Sequence, residues 1–580
     1  MSLTSSLYTS FAGLRHTESQ ITVSSQNVTN ADKPGYTRKE YEAEYGLSGL
    51  GSIPVGGTAQ IQLFDPFLFE TVIEDTSIAS NSSVIADYLD RYASRLGTIS
   101  GGNTLSASLN TLASALDELS VTPEDGALKS QVVSAAEEVA FQLRQLSETI
   151  QDIRSDADSE INQSVSNINN SLLKLDELNK EIALTSVTGR SVADLEDERN
   201  IELEKLASEI EVDYFFDSQN QLRVYTDGTP LLTSSARTLD FTAASSAFDS
   251  TAVYPGGLSG ITVNGIDITS DIDGGKLNGL LEIRDTLMVQ EQDKLNEFAN
   301  ILSEGMNSLL NTGTSIPARD NIRGDTFGFT LGTALTGTGN VRIAVVNSDN
   351  TVSNFADFNL AGYATVNDMI TDINATLGPD MAATLGSDGE LILAASIAGQ
   401  SISIAPDTSD MGSGESFSHF FGLNNLFASQ AGAEDIQVSE YLQNGSEYLA
   451  TSGFATGALA IGDVGANAGD GSISKAMNEA FTSAVAFGAA GNFAAQNETL
   501  DVYADKIMAD AANRADNSAE KAETTIFLLD QTKNTLQNLT GVNIDEEMTK
   551  IIDLEARYQA AATVISTISA LFDELIAAVR

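Results

Sequence analysis

The 580-residue chain is predicted to be an α+β multidomain protein: a terminal helical coiled coil and a long-helix rod domain, with inserted β-rich domains. Three observations predict this. Apolar residues recur every seven positions at both ends. A long alternation of threes and fours runs through the first third. Two stretches of alternating or Gly-rich sequence interrupt the helical pattern.

At the start, Leu7, Leu14, Ile21 and Val28 lie one heptad apart, and at the end so do Ile544, Ile551, Tyr558, Ile565, Phe572 and Val579. Such a stripe must be buried against another helix. Two of them at the extreme termini predict a bundle formed by the ends, within one chain or between chains, as in an assembly subunit. The first helix, read over 3–30, has a polar face of Ser, Thr, Gln and Asn, which makes it weak alone and expected to order on partnering. Lys33-Pro34-Gly35 stops it.

Residues 36–75 read as extended or irregular, and the helical period returns near Ser82. Leu143, Leu146, Ile150, Ile153, Ala157, Ile161, Val165, Ile168, Leu172, Leu175 and Ile182 then mark a rod of about 40 residues, roughly 60 Å. Gly189 is expected to interrupt it before a shorter helix over 192–210. Residues 211–275 alternate as strands, with Asn264-Gly265 as a hairpin turn. Leu295, Phe298, Leu302, Met306 and Leu309 place a helix over 276–310. The Gly-, Ser-, Thr- and Asp-rich stretch 313–474 predicts strands at 341–346 and 390–395 and a short helix at 365–377. Helix is expected from Lys475 to Leu539, a break at Gly541, and a last helix from about Asp545. The expected domains are therefore 1–40 with 541–580 (terminal coiled coil), 41–210 with 276–312 and 475–540 (helical rod), 211–275 (small β-domain) and 313–474 (acidic β-rich outer domain).

Thirty basic residues stand against 81 acidic ones, a net charge of −51. Such a field repels nucleic acid and anionic membrane, so neither is an expected partner. No Lys or Arg occurs between Ile343 and Ser474, which reads as a solvated outer face. Asp271 and Asp273 lack the spacing of a calcium loop. Cysteine is absent, which removes disulfides, thiolate nucleophiles and cysteine metal sites. The two histidines, His16 and His419, sit in apolar or heptad surroundings and read as structural. Gly337-Thr338-Gly339 is too short for a phosphate loop. No catalytic, metal or cofactor residue is assigned, and no enzyme is expected. The Arg284-Asp285 pair reads as a salt bridge or a solvated helix start. No apolar run is expected to approach the roughly 20 residues that cross a bilayer. Met1 to Ser10 shows no secretory pattern, so the chain is expected to stay in the cytoplasm or leave by a route that removes nothing.

The run Asn27-Val28-Thr29-Asn30-Ala31-Asp32-Lys33-Pro34-Gly35-Tyr36-Thr37-Arg38 resembles the N-terminal signature of bacterial flagellar rod, hook and hook-associated proteins. Gly541 to Leu575, with Val542-Asn543-Ile544-Asp545-Glu546-Glu547 and Ala556-Arg557-Tyr558-Gln559-Ala560, is similar to the C-terminal run of the same group. Leu277 to Asp285, Asp194 to Asn200, Phe420 to Phe427 and the ending Leu571 to Leu575 resemble its hook-associated branch.

The resemblance implies a structural subunit of the flagellum that forms a ring homo-oligomer at the junction of hook and filament. Its implied neighbours are the hook protein and a second junction protein. Another axial protein, hook protein or second junction protein, is the alternative reading. Family members leave through the flagellar type III apparatus without a cleaved signal, held beforehand by a cytoplasmic chaperone at the C-terminal region, and end outside the cell. The terminal heptads would carry assembly, Leu571, Phe572 and Leu575 chaperone contact, and Tyr36 and Arg38 subunit contact.

Overall fold

A computed structural model describes residues 3–48, 51–97, 104–188, 190–244, 248, 250–412 and 414–579. Gly189, the expected interruption of the rod, lies outside them. Helix α1 (Leu3–Asn30) leads through the Pro34 turn into an antiparallel hairpin, β1 (Lys39–Ser48) and β2 (Gly51–Gln62). Helix α2 (Pro66–Leu96) then starts well before Ser82, which corrects the irregular reading of the residues ahead of it. Asp65 accepts from the amides of Phe67 and Leu68, both at 3.1 Å, and Pro66 occupies the first turn where its missing N–H costs nothing. Phe69, Val72 and Ile73 then bury the helix face.

After α3 (Leu105–Val121), α4 (Gly126–Val187) runs for 62 residues, about 93 Å. The expected rod therefore begins earlier, at the Asp125 cap, whose side chain accepts from Ala127 N at 2.7 Å. Every predicted stripe residue from Leu143 to Ile182 is buried except Leu146, which is partly so. Helix α5 (Ala193–Glu209) packs back on α4.

The small β region holds two antiparallel three-stranded meanders. The first is β3 (Asp213–Phe216), β4 (Leu222–Thr226) and β5 (Thr229–Leu232). The second is β6 (Leu239–Asp240), β7 (Thr262–Val263) and β8 (Ile266–Asp267). Asn264 at φ +53° and Gly265 at φ +78° form the expected left-handed turn between β7 and β8.

Helices α6 (Gly275–Glu282) and α7 (Met288–Leu310) are one continuous rod with a π-turn at Ile283–Leu287. A π-turn loosens the ordinary helix ladder, and here Arg154 Nε donates to the Arg284 carbonyl at 2.9 Å. The Arg284 guanidinium is fully buried and bonds Asp158 at 2.7 Å and Asp285 at 2.8 Å. Of the two readings of Arg284-Asp285, the salt bridge holds, and it is part of a buried clamp between α4 and the π-turn.

The described part of 313–474 divides among the helical core, an outer core and a small third cluster of Ala344, Val346, Val352, Ala405, Phe454 and Ala466. The outer core draws on 322–423: β9 (Asn321–Arg323), β10 (Asn340–Asn347), β11 (Val352–Asn359), α8 (Val366–Leu377), β12 (Met381–Leu385), β13 (Leu391–Ala395), β14 (Gln400–Ala405) and α9 (Phe417–Phe420). Its sheets have the orders β11-β10-β14 and β12-β13-β9. Thr365 and Asp368 close a reciprocal capping box on α8. Leu426, Phe427, Ile436, Val438, Leu442 and Leu449, around β15 (Phe427–Ala428), β16 (Gln437–Val438) and α10 (Glu440–Asn444), join the helical core instead.

The Phe420–Phe427 run is the joint between the outer core and the helical core. Asn307 of α7 accepts from the amides of Leu426 and Phe427 at 2.8 and 3.0 Å, and Asn311 accepts from Asn424 N at 2.9 Å. The helix expected from Lys475 to Leu539 is in fact two, α11 (Ser472–Thr482) and α12 (Leu500–Thr540). A hairpin of β17 (Val485–Phe487) and β18 (Gln496–Glu498) separates them. Phe487 stacks on Tyr503 at 3.8 Å, so aromatic packing holds the chain away from helix there. Helix α12 lies along α2, and α13 (Ile544–Val579) closes the chain against α1. The whole is the α+β multidomain architecture that the sequence predicts.

Candidate assembly interface

The end of α1 meets the start of α13, so the terminal helices run antiparallel side by side. Leu7, Leu14, Ile21 and Val28 are half-buried in this seam, and so are Ile551, Ile565 and Phe572. Ile544 and Tyr558 remain more than a third exposed. The deepest α13 positions are Glu547, Leu554 and Ile568, three residues on from the predicted heptad series. They are the second half of the same heptad pattern, which the single-period reading left out. On α1 the deepest seam residues are polar or small: Thr17, Val23, Ser24 and Asn27.

A polar knot joins this pair to the rod, and it is built from the two most distinctive sequence runs. Lys39 is fully buried, and its Nζ ion-pairs with Asp197 of α5 and donates to the Ala193 carbonyl at 3.1 Å. Thr37 Oγ1 donates to the other Asp197 oxygen at 2.6 Å. Burial pushes the Asp197 carboxyl up, against the pull of Lys39 and Thr37. The Asn27 side chain behaves as a piece of strand: its Oδ1 accepts from Lys39 N and its Nδ2 donates to Lys39 O, both at 3.0 Å. Tyr36 Oη donates to the same Oδ1 at 3.1 Å, and burial, with Asp194 and Asp197 nearby, pushes the phenol up to about 12.

Arg38 binds the other terminus. Its Nε donates to Glu547 at 2.7 Å, and its backbone N–H donates to the Thr540 carbonyl at 2.7 Å. Burial would raise the Glu547 carboxyl, but Ser24, Lys550 and Arg38 hold it below the usual range. Gly35 sits at φ +73°, and a Cβ there would lie 2.5 Å from Ile201 Cγ1, so both conformation and space call for glycine.

Tyr36 and Arg38, the subunit-contact candidates, thus make their contacts inside this chain. Asn27, Lys39, Asp197 and Glu547 do as much, and no local pattern marks them, although all but Lys39 lie inside runs that carry the family resemblance. Of the chaperone-contact candidates, Leu571 and Leu575 are exposed and Phe572 is half-buried. His16 packs on Tyr41 at 5.1 Å between ring centres, and His419 Nε2 lies 3.3 Å from Glu304. Among the described residues no group of three His, Asp or Glu side chains gathers as a metal site.

Much apolar surface of the terminal pair stays open, spread around α13. Tyr8 is 70% exposed, Ile552 65% and Ile576 57%, with Phe11, Met548, Val564, Leu571 and Leu575 beside them in the same class. The helical run Leu500–Ala578 contains an 18-residue window of mean hydropathy 1.5, which by length and composition is enough to cross a bilayer. That corrects the expectation that no apolar run approaches such a length. Only 6% of the window is buried within this chain.

Charge is distributed to match. Residues 1–40 hold four basic and three acidic side chains, and 541–580 hold three and seven. All but 3 of the 51 net negative charges therefore fall between the termini.

The family model described as "Flagellar hook-associated protein FlgK helical domain" matches residues 95–327, the long-helix part of the rod, the small β region and the start of the outer segment. The one described as "Flagellar basal body rod FlgEFG protein C-terminal" matches 538–578, essentially α13. Flagellar hook-associated protein 1 of Bacillus subtilis is 26% identical over 228 residues, 36% of this chain and 43% of that protein. Its namesake from Salmonella typhimurium is 25% identical over 585 residues, 97% of this chain and 98% of the relative. The solved flagellar hook junction protein FlgK from Burkholderia pseudomallei shares the fold, with a TM-score of 0.51 at 14% identity, over 80% of this chain and 99% of that one. A near full-length match in sequence, a rod matched by the helical-domain model and a shared fold agree: along nearly its whole length the chain is similar to flagellar hook-associated protein 1.

Proposed function

We propose that this chain is a structural subunit of the bacterial flagellum at the junction between hook and filament, built into a ring through its two terminal helices. The single observation that carries the mechanism is the half-covered terminal pair. Helices α1 and α13 bury Leu554 and Ile568 against each other while Tyr8, Phe11, Ile552, Leu571 and Ile576 stay in water. Each large apolar side chain buried by a neighbouring copy contributes about 1.5–3 kcal/mol, so a handful offsets the ordering of the contact. The nearly neutral termini are where like-charged copies can approach, and the acidic body is repelled outward. Hook protein and the second junction protein are the neighbours this reading gives the ring. No step of it needs a reacting group, so the role is structural and not catalytic.

Before export this exposed apolar surface needs another cover. In this reading a cytoplasmic chaperone holds α13 near Leu571, Phe572 and Leu575, and the chain leaves unfolded through the flagellar type III apparatus. Immunogold microscopy of intact flagella tests the main proposal: label should form one band between hook and filament. Label along the whole filament or hook would reject it in favour of a bulk axial subunit. Phe572→Asp should abolish the band while leaving the rod folded, and a normal band on that variant would reject assembly through the terminal seam.

A further inference from the structure

The β1–β2 hairpin stands alone: among the described residues it is a two-stranded sheet, and such a sheet is marginal in water. We infer that the free edge of β2 pairs with the β1 edge of a second copy of this chain, so that neighbouring hairpins join head to tail in one sheet. The inference rests on the assembly reading above and adds a second, backbone-mediated contact to it.

The register says which backbone groups point outward. Leu63 N donates to the Arg38 carbonyl at 2.8 Å, which makes that pair hydrogen-bonded. Glu40↔Ile61 and Glu42↔Ala59 share its parity, so the alternate residues, Lys39, Tyr41 and Ala43 on β1 and Thr58, Gln60 and Gln62 on β2, turn their N–H and C=O outward. The Asn27 amide takes up both outward groups of Lys39. The register slips between Ala43 and Tyr45, so the regular ladder is Lys39–Ala43 with Thr58–Gln62.

Three features point to a second copy as the occupant. An edge strand is normally guarded by charge, yet no charged residue occurs between Glu44 and Asp65, while β1 carries Glu40, Glu42 and Glu44. In a chain of net charge −51 an uncharged strand is one of the few surfaces that a like-charged copy can approach. Pairing β1 on β1 would set glutamates against each other, and β2 on β2 would close a dimer, whereas β2 on β1 propagates around a ring. Exposed apolar groups lie beside this edge: Ile61 is 44% exposed, Leu63 40% and Phe67 80%. The neighbouring strand would cover them. The hairpin also packs on α1, so the edge continues the terminal interface.

Gln60→Pro removes one outward N–H and spares the inward bonds of Ala59 and Ile61, and Thr58→Lys places a charge on the edge. In cells carrying only the variant chain, each should cut junction immunogold label about tenfold, the effect of a modest loss of contact free energy. The secreted chain should keep its circular dichroism and melting profile. Parent-level label on both variants overturns the inference. So does loss on Ile61→Pro alone, which would mean that the hairpin matters but its edge does not. The native chain has no cysteine, so Tyr41→Cys and Gln60→Cys chains expressed together give a second readout on oxidised flagella. Disulfides joining the two different variants are expected; disulfides only between like variants overturn the head-to-tail arrangement. If the junction reading itself fails, the parent chain gives no band. If only the edge pairing fails, the parent bands and the edge variants band equally.

Discussion

Arg38 Nε and Glu547 Oε1 lie 2.7 Å apart across 509 residues of sequence, and this contact ties the turn after α1 to the first turn of α13. Glu547 is fully buried while Arg38 keeps a quarter of its side chain in water. The carboxylate is therefore the partner with more to lose. The two termini meet through an ion pair at the joint and an apolar seam beyond it.

Arg38→Ala should loosen α1 from α13 at their joint. A buried carboxylate left without its cation costs about 3–5 kcal/mol, less whatever water reaches it. Amides of α1 and α13 should lose hydrogen-exchange protection while those of α4 and α7 keep theirs. Uniform loss of protection across the chain would show that the contact supports global stability instead. Glu547→Gln, which keeps the shape without the buried charge, should do less harm.

Gly35→Ala combines two penalties: a left-handed backbone at φ +73° and a Cβ 2.5 Å from Ile201 Cγ1. The conformational part alone is about 1 kcal/mol, and the clash adds to it. Pairing it with Ile201→Ala should recover the steric part only. A thermal melt of the single and double variants separates the two, and equal losses in both would mean that Ile201 already gives way freely.

Lys39 and Asp197 form a buried pair between β1 and α5. Lys39→Met alone should be strongly destabilising because Asp197 loses its partner, and Lys39→Met with Asp197→Leu should recover most of the loss. Denaturant unfolding of the four chains gives the coupling directly, and a double variant worse than the single one would assign the pair a positioning role that apolar packing cannot replace.

The long periodic parts are legible because burial follows period: the stripe from Leu143 to Ile182 is buried, Leu146 partly so, and Asn264-Gly265 turns as its φ preference requires. What escaped were contacts between segments far apart in sequence. Lys39 with Asp197, Arg284 with Asp158 and Asn307 with Phe427 each bury a polar group, and no local period marks its partner. The resemblance to known sequences marked those runs without giving their physical reason, which is that each is a joint between elements. The sequence expects α2 late because its start rests on the Asp65 cap and Pro66, and its short first stripe of Phe69, Val72 and Ile73 runs into Thr, Ser and Asn. The break between α11 and α12 escaped because Phe487 and Phe493 are committed by packing on Tyr503, which composition does not reveal.

Asp325 gives the joint between the outer core and the helical core a pH dependence. It accepts from Ser439 Oγ at 2.6 Å, and burial pushes its carboxyl up to about 6 against the pull of Ser439 and Arg319, while Glu440 pushes it further and Arg323 opposes. Arg319 is itself buried, bonds Asn424 at 2.5 Å and stacks over the Tyr441 ring at 3.9 Å, so its charge is shared among several partners. For an acid whose folded value is raised, the stabilisation is complete below the ordinary aspartate value of about 3.9 and is lost as pH climbs through about 6. The melting temperature of the parent should therefore fall between about pH 4 and 6 relative to that of Asp325→Asn, which cannot ionise, and run parallel to it above that. Falling pH also relieves the self-repulsion of so acidic a chain, in parent and variant alike, so the difference between the two curves is the readout. Parallel curves across that window would mean that Asp325 is ionised and fully compensated by Arg319.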